Sequence, residues 1–217
     1  AFLVVFLTYG METAFFRFST RKDNKYLSVY SNTLFSLITT TTVFVASATL
    51  FSQKIADWLK YPDHNEYIIW FSLIVGLDAI SSIPLAKLRL EEKAKKFAGI
   101  NFLNVGINIM LNLFFLVYCK ESYENNNGNW ITNTFYNPNI GVGYVFISNL
   151  IASIVKFCAL LPIMRFKGSF DFSLFKNMLK YSSPMLLVGL AYVINETLDR
   201  AMLKSILYNQ YIENGIA

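Results

Sequence analysis

Residues 67–96 read YIIWFSLIVGLDAISSIPLAKLRLEEKAKK. From Tyr67 to Leu85 the stretch is apolar, with Asp78 as its one charged residue, and it is then closed by Lys87, Arg89, Lys93, Lys95 and Lys96. A span of the ~30 Å hydrocarbon core needs about 20 mostly apolar residues. A cluster of Lys and Arg at one end of such a run orients it, because short cytoplasmic loops carry the excess of basic residues. The stretch therefore reads as a transmembrane helix with its C-terminal end inside.

The same pattern repeats outward in both directions. Further apolar runs occupy Leu27–Phe51, Phe97–Tyr118, Ile140–Met164 and Tyr181–Leu207, and a shorter one occupies Ala1–Phe16. The short run begins without Met and already in apolar sequence. It reads as a helix entered part-way rather than a signal peptide, since it has no basic leader and no small-residue cleavage site. Thirteen of the nineteen Lys and Arg residues fall in the gaps 17–25, 86–96 and 165–180. The alternate gaps 52–66 and 119–139 hold only Lys54, Lys60 and Lys120 against five acids. Six runs alternating in this way predict an all-α polytopic membrane bundle.

Composition agrees: 54% hydrophobic, 17% aromatic and 15% charged residues, where ordinary soluble domains are about 25% charged. The net charge of +5 is explained by topology and by anionic headgroups, so nucleic acid is discounted as a partner. Cys119 and Cys158 have neither metal-ligand nor redox spacing. No nucleophile elbow, zinc motif or phosphate-binding glycine loop occurs, and the one histidine, His64, lies in an external loop. The chain carries no enzyme signature, and no metal or organic cofactor is expected.

The segment 169–180 differs from the other gaps. Phe172, Phe175 and Met178 or Leu179 recur at helical spacing, with Asp171 or Ser169 as a candidate N-cap. It reads as an amphipathic helix on the inner surface, or else as the extended start of the next span.

Charges at bilayer depth cost roughly 2.5–3.5 kcal/mol each on insertion scales, so each calls for a reason. Glu12 either faces a wet cavity and binds a cation or proton, or lies near the interface and snorkels to water or pairs with Arg17. Asp78, with Ser81 and Ser82 on its face, is protonated, paired or cation-bound. Asn101, Asn104, Asn108 and Asn112 form one stripe along their run, either as hydrogen-bonding glue between helices or as oxygen ligands that join Asp78 around a cation. Lys156 continues a polar face with Asn149 and Ser153, and either snorkels or lines a cavity. Asn195-Glu196-Thr197-Leu198-Asp199-Arg200 places three charges within five residues, and Glu196 and Arg200 can pair at i, i+4. Asn32, Ser36, Thr39 or Thr40, and Ser47 make a weaker polar face. Pro84, Pro162 and Pro184 near the inner ends permit bends, and Gly10 with Ala14 permits close helix packing.

Three segments resemble the bacterial polysaccharide flippases of the multidrug/oligosaccharidyl-lipid/polysaccharide exporter superfamily. The string Thr8-Tyr9-Gly10-Met11-Glu12-Thr13-Ala14-Phe15-Phe16-Arg17-Phe18 is similar to their second helix. Asp78 through Ile83-Pro84-Leu85-Ala86-Lys87-Leu88-Arg89 is similar to the fourth helix and its loop. Tyr181-Ser182-Ser183-Pro184-Met185-Leu186 with Leu198-Asp199-Arg200 looks like the seventh helix. The resemblance implies a partial first lobe over 1–168, an inter-lobe connector over 169–180 and the first helix of a second lobe over 181–217. It further implies a multi-pass protein of the bacterial inner membrane, driven by a H⁺ or Na⁺ gradient, that flips a lipid-linked, pyrophosphate-bearing oligosaccharide. A polysaccharide polymerase or glycosyltransferases would be its partners. Glu12, Arg17, Lys156, Glu196, Asp199 and Arg200 would line the lumen, and Asp78 with Asn104 and Asn108 would hold the coupling ion. A multidrug exporter of the same fold and a non-transporting scaffold in polysaccharide assembly are the alternatives. Drug exporters favour cations and so an acidic lumen, whereas an Arg-bearing lumen suits a flippase.

Overall fold

The computed structural model describes residues 2–21, 26–59, 61–62, 64–124, 137, 140–164, 168 and 170–213, without the side chains of 124, 200, 201 and 203–213. The described residues form helices and short connections, with no strand. They are α1 (Phe2–Thr8), α2 (Met11–Ser19), α3 (Tyr26–Leu50), α4 (Ser52–Trp58), α5 (Asn65–Leu90), α6 (Ala94–Asn112), α7 (Lys120–Glu124), α8 (Gly143–Leu160) and α9 (Phe172–Glu213). A π-helical stretch, Leu113–Cys119, joins α6 to α7, and a 3₁₀ turn, Leu161–Ile163, follows α8.

Among these, four helices are long and apolar enough to cross a membrane: Tyr26–Leu50, Asn65–Leu90, Ala94–Tyr123 and Gly143–Ile163. The bent pair α1–α2 makes a fifth if counted as one span. The expected sixth run lies within α9 and is not among them, because Asn195, Glu196 and Asp199 dilute its apolar window from one side and Lys176 and Lys180 from the other. The segment 169–180 is not a helix of its own: α9 runs on from Phe172 through Lys180 and Pro184 to Glu213, so the extended-start alternative describes it. Asp171 is the N-cap, its Oδ1 accepting from the N–H groups of Ser173 at 2.9 Å and Leu174 at 3.1 Å. Ser169, the other candidate N-cap, lies outside the described residues.

The helices form a membrane-embedded bundle around α5, which packs most extensively on α3 and α8. Beyond α8 lies α6; beyond α1, α2 and α3 lies α9. Cross-links sort the gaps into two ends. At the basic end, Arg89 donates to Glu12, Lys87 reaches Ile163 O at 3.4 Å, and the Gly168 N–H donates to Ser31 at 3.1 Å. At the other end, Tyr67 donates to Ile140 O at 3.0 Å and stacks on His64 and Phe146. The described parts of the three basic gaps therefore share one end of the bundle, as the alternation requires.

Hydroxyls are tolerated on the exposed flank of α3 because they bond back to their own helix. Thr39 donates to Phe35 O, Thr42 to Ile38 O and Thr49 to Val45 O, at 2.7–2.9 Å. The main apolar core sits at the basic end, where Met11, Ala14 and Phe15 meet Tyr30, Leu34, Ile83, Ala86 and Met178.

Candidate functional site

The bend between α1 and α2 decides what α9 can touch. Tyr9 has φ 33° and Gly10 φ 71°, both left-handed, and the two half-helices meet at 44°. Glycine takes such a φ without penalty. It also clears space, since a Cβ here would lie 2.7 Å from Ser182 O and 3.0 Å from Met185 Cβ. Lower on α9, Gly189 accepts Val5 in the same way. The backbone of α9 thus lies directly on the bend, and Tyr9 braces it by pairing its hydroxyl with Ser36.

Around this contact the expected lumen residues separate. Glu12 pairs with Arg89 at the end of α5, not with Arg17. Arg17 instead lies 4.1 Å over the Tyr181 ring of α9, a cation–π contact. Further along α9, Tyr192, Asn195, Glu196 and Asp199 are all exposed. The side chain of Arg200 lies outside the described residues, so its pairing with Glu196 does too.

Lys156 is not part of that group. It is buried on α8, and its ammonium donates to Asp78 on α5. The Lys156 side chain is 10% exposed and that of Asp78 33%. Ser153 approaches the same Asp78 Oδ1 at 3.4 Å. One turn away Asn149 accepts from Asn108 Nδ2 at 3.1 Å. The face Asn149–Ser153–Lys156 of α8 therefore bridges α5 and α6 at mid-depth. The two costly charges of opposite sign answer each other, which is the cheapest arrangement open to either.

The asparagine stripe divides its work. Asn101 donates to Phe97 O at 3.0 Å and Asn112 to Asn108 O at 2.9 Å, both within their own helix. Asn108 alone is seen to cross to another helix. Asn104 Oδ1 and Asn112 Oδ1 are buried without a hydrogen-bond partner among the described residues. Of the three coupling-ion candidates, Asp78 accepts from the Lys156 ammonium, Asn108 donates to Asn149 and accepts from Asn112, and Asn104 Oδ1 has no partner among the described residues.

Other contacts had no advance sign. Asn32, fully buried, clamps the backbone of Asp171, donating to its C=O at 2.9 Å and accepting from its N–H at 3.0 Å. Tyr30 donates to Ile163 O at 3.1 Å, with Lys87 over its ring at 4.2 Å. Glu91, past the end of α5, is partly buried, which pushes its carboxyl up. Lys93, Lys87 and Tyr26 outweigh burial and hold it below the ordinary carboxylate value. Lone partners across a fold leave no periodic signal. Asp78 and Lys156 stood out singly, as charges costly at bilayer depth, but nothing in the sequence paired them.

Residues 1–137 match the family described as polysaccharide biosynthesis protein. No curated protein and no solved structure matches the chain.

Proposed function

The chain belongs to the polysaccharide biosynthesis protein family, and from that premise we propose that it is a flippase, carrying a lipid-linked oligosaccharide from the cytoplasmic to the outer leaflet of a bacterial inner membrane. Its coarse role is polysaccharide biosynthesis in a membrane. The flipping step is our reading, and one observation carries it. Asn195, Glu196 and Asp199 stand exposed on α9, a helix seated against the α1–α2 bend. Ionised groups do not face lipid at that cost, so this face of α9 borders water. A polar path beside a bent helix that packs through glycines suits alternating access, in which helices rock around a fixed site.

In this reading the carbohydrate passes along the polar face of α9 while the lipid tail stays in the bilayer. Arg17, held over Tyr181, meets the pyrophosphate, because guanidinium binds phosphate in a bidentate fork. Glu196 and Asp199 take up H⁺ or Na⁺ and bias the inward–outward equilibrium. Asp78 is a weaker candidate for that role, since Lys156 already neutralises it. No bond is made or broken, and a polymerase or glycosyltransferases act before and after. The test is complementation of an export-deficient strain with Asp199→Asn and Arg200→Ala. Both are expected to lose most polysaccharide export at wild-type protein levels. Full export by both would support a non-transporting scaffold instead.

A further inference from the structure

Where α2 ends and α9 begins, the basic end of the bundle opens into a pocket of about 510 Å³ lined by Phe18, Arg21, Leu174, Asn177, Lys180 and Tyr181. The larger pocket at the opposite end, about 620 Å³ between Tyr67, Phe71 and Phe146, is walled almost wholly by apolar groups. The pocket at the basic end is built differently. Arg21 lies 5.3 Å over the Phe18 ring, and Arg17, not itself a lining residue, lies 4.1 Å over the Tyr181 ring. An aromatic face holds a guanidinium in place while leaving its N–H edge turned outward. Lys180 and the Asn177 amide complete the polar wall, and Leu174 and Phe18 supply an apolar one.

Among the described residues no carboxylate forms an ion pair with Arg17, Arg21 or Lys180. Among the described acids, Glu12 is engaged by Arg89, Glu91 by Lys93, and Asp171 by the first turn of α9. Arg21 and Lys180, two lining cations without an ion-pair partner among the described residues, call for an anion, and planar guanidinium matches phosphate oxygens best. The adjoining apolar wall suits a ligand that continues into hydrocarbon. We propose that this pocket binds the phosphate of a membrane lipid, at the depth where headgroups lie. Two lipids carry that chemistry, an anionic bilayer phospholipid and a polyprenyl diphosphate carrier. The site stands whether or not the chain transports.

The test is binding to the purified protein, read by intrinsic fluorescence or native mass spectrometry. The probes are dioctanoyl phosphatidylglycerol, farnesyl diphosphate and dioctanoylglycerol, the last having similar tails and no phosphate. Either phosphate probe is expected to bind well above dioctanoylglycerol and to weaken with salt. The double variant Arg21→Gln, Lys180→Gln changes two exposed side chains, and an unchanged melting temperature will show that it is folded. It should bind the preferred probe at least about tenfold more weakly, as loss of a charged hydrogen bond implies. Tighter phosphatidylglycerol names the bilayer lipid as the occupant, and tighter farnesyl diphosphate names the carrier. Binding no stronger than that of dioctanoylglycerol, or equal in the folded double variant, overturns the proposal.

Discussion

Asp78 and Lys156 carry the sharpest residue-scale expectation. Each would be costly alone at mid-depth, and together they satisfy one another between α5 and α8. Lys156→Met removes the ammonium and leaves a carboxylate that is still two-thirds covered. Breaking a fully buried pair costs about 3–5 kcal/mol. Because Asp78 keeps a third of its exposure, a loss of about 1–3 kcal/mol is expected here. Thermal unfolding in detergent should show it, and Asp78→Asn combined with Lys156→Met should recover most of the loss. If the single variant melts like wild type, or the double variant is worse, the pair does not act as a unit. Both charges stood out in the sequence because insertion cost marks them. Their mutual pairing was not legible, since it depends on α5 and α8 packing side by side. Glu12 shows the same limit: Arg17 is its neighbour in sequence, yet Arg89 is its partner in space.

At the scale of elements, the α1–α2 bend sets the position of α9. Gly10 has φ 71°, and a Cβ there would meet Ser182 O at 2.7 Å. Gly10→Ala therefore meets two penalties, about 1 kcal/mol or more for the left-handed backbone and a steric clash with a backbone atom that cannot swing away. Lower thermal stability and lost polysaccharide export are expected together, whereas Ala at Gly99, which faces open space, should leave both unchanged. Equal behaviour of the two variants would remove the bend from the account. The spans themselves were legible: run lengths gave α3, α5, α6 and α8 within a few residues, because a membrane demands long apolar helices. The continuity of α9 was not, since the amphipathic pattern of 172–179 fits a surface helix and a helix start equally well. The N-cap at Asp171 was legible, but the Asn32 clamp that fixes it to α3 was not, because it joins residues 139 apart in the chain.

Across the whole molecule, the two ends of the bundle carry different chemistry. The basic end gathers Arg17, Arg21, Lys87, Arg89 and Lys180 near aromatic faces and carbonyl oxygens, and the opposite end is aromatic and nearly free of Lys and Arg. That asymmetry was written in the alternation of the gaps, and it orients the bundle by the positive-inside rule. Between the ends, the account requires water beside α9. The most direct measurement is thiol accessibility. Asp199→Cys is introduced into a Cys119→Ser, Cys158→Ser background and exposed in intact membranes to a membrane-impermeant maleimide. A cysteine beside water forms reactive thiolate and labels rapidly, whereas one in hydrocarbon does not. Labelling at position 199 comparable to that at a loop position such as Tyr61→Cys, between α4 and α5, is expected. Protection at 199, equal to that of a lipid-facing control at Met110 on α6, would contradict the polar path and the transport reading with it.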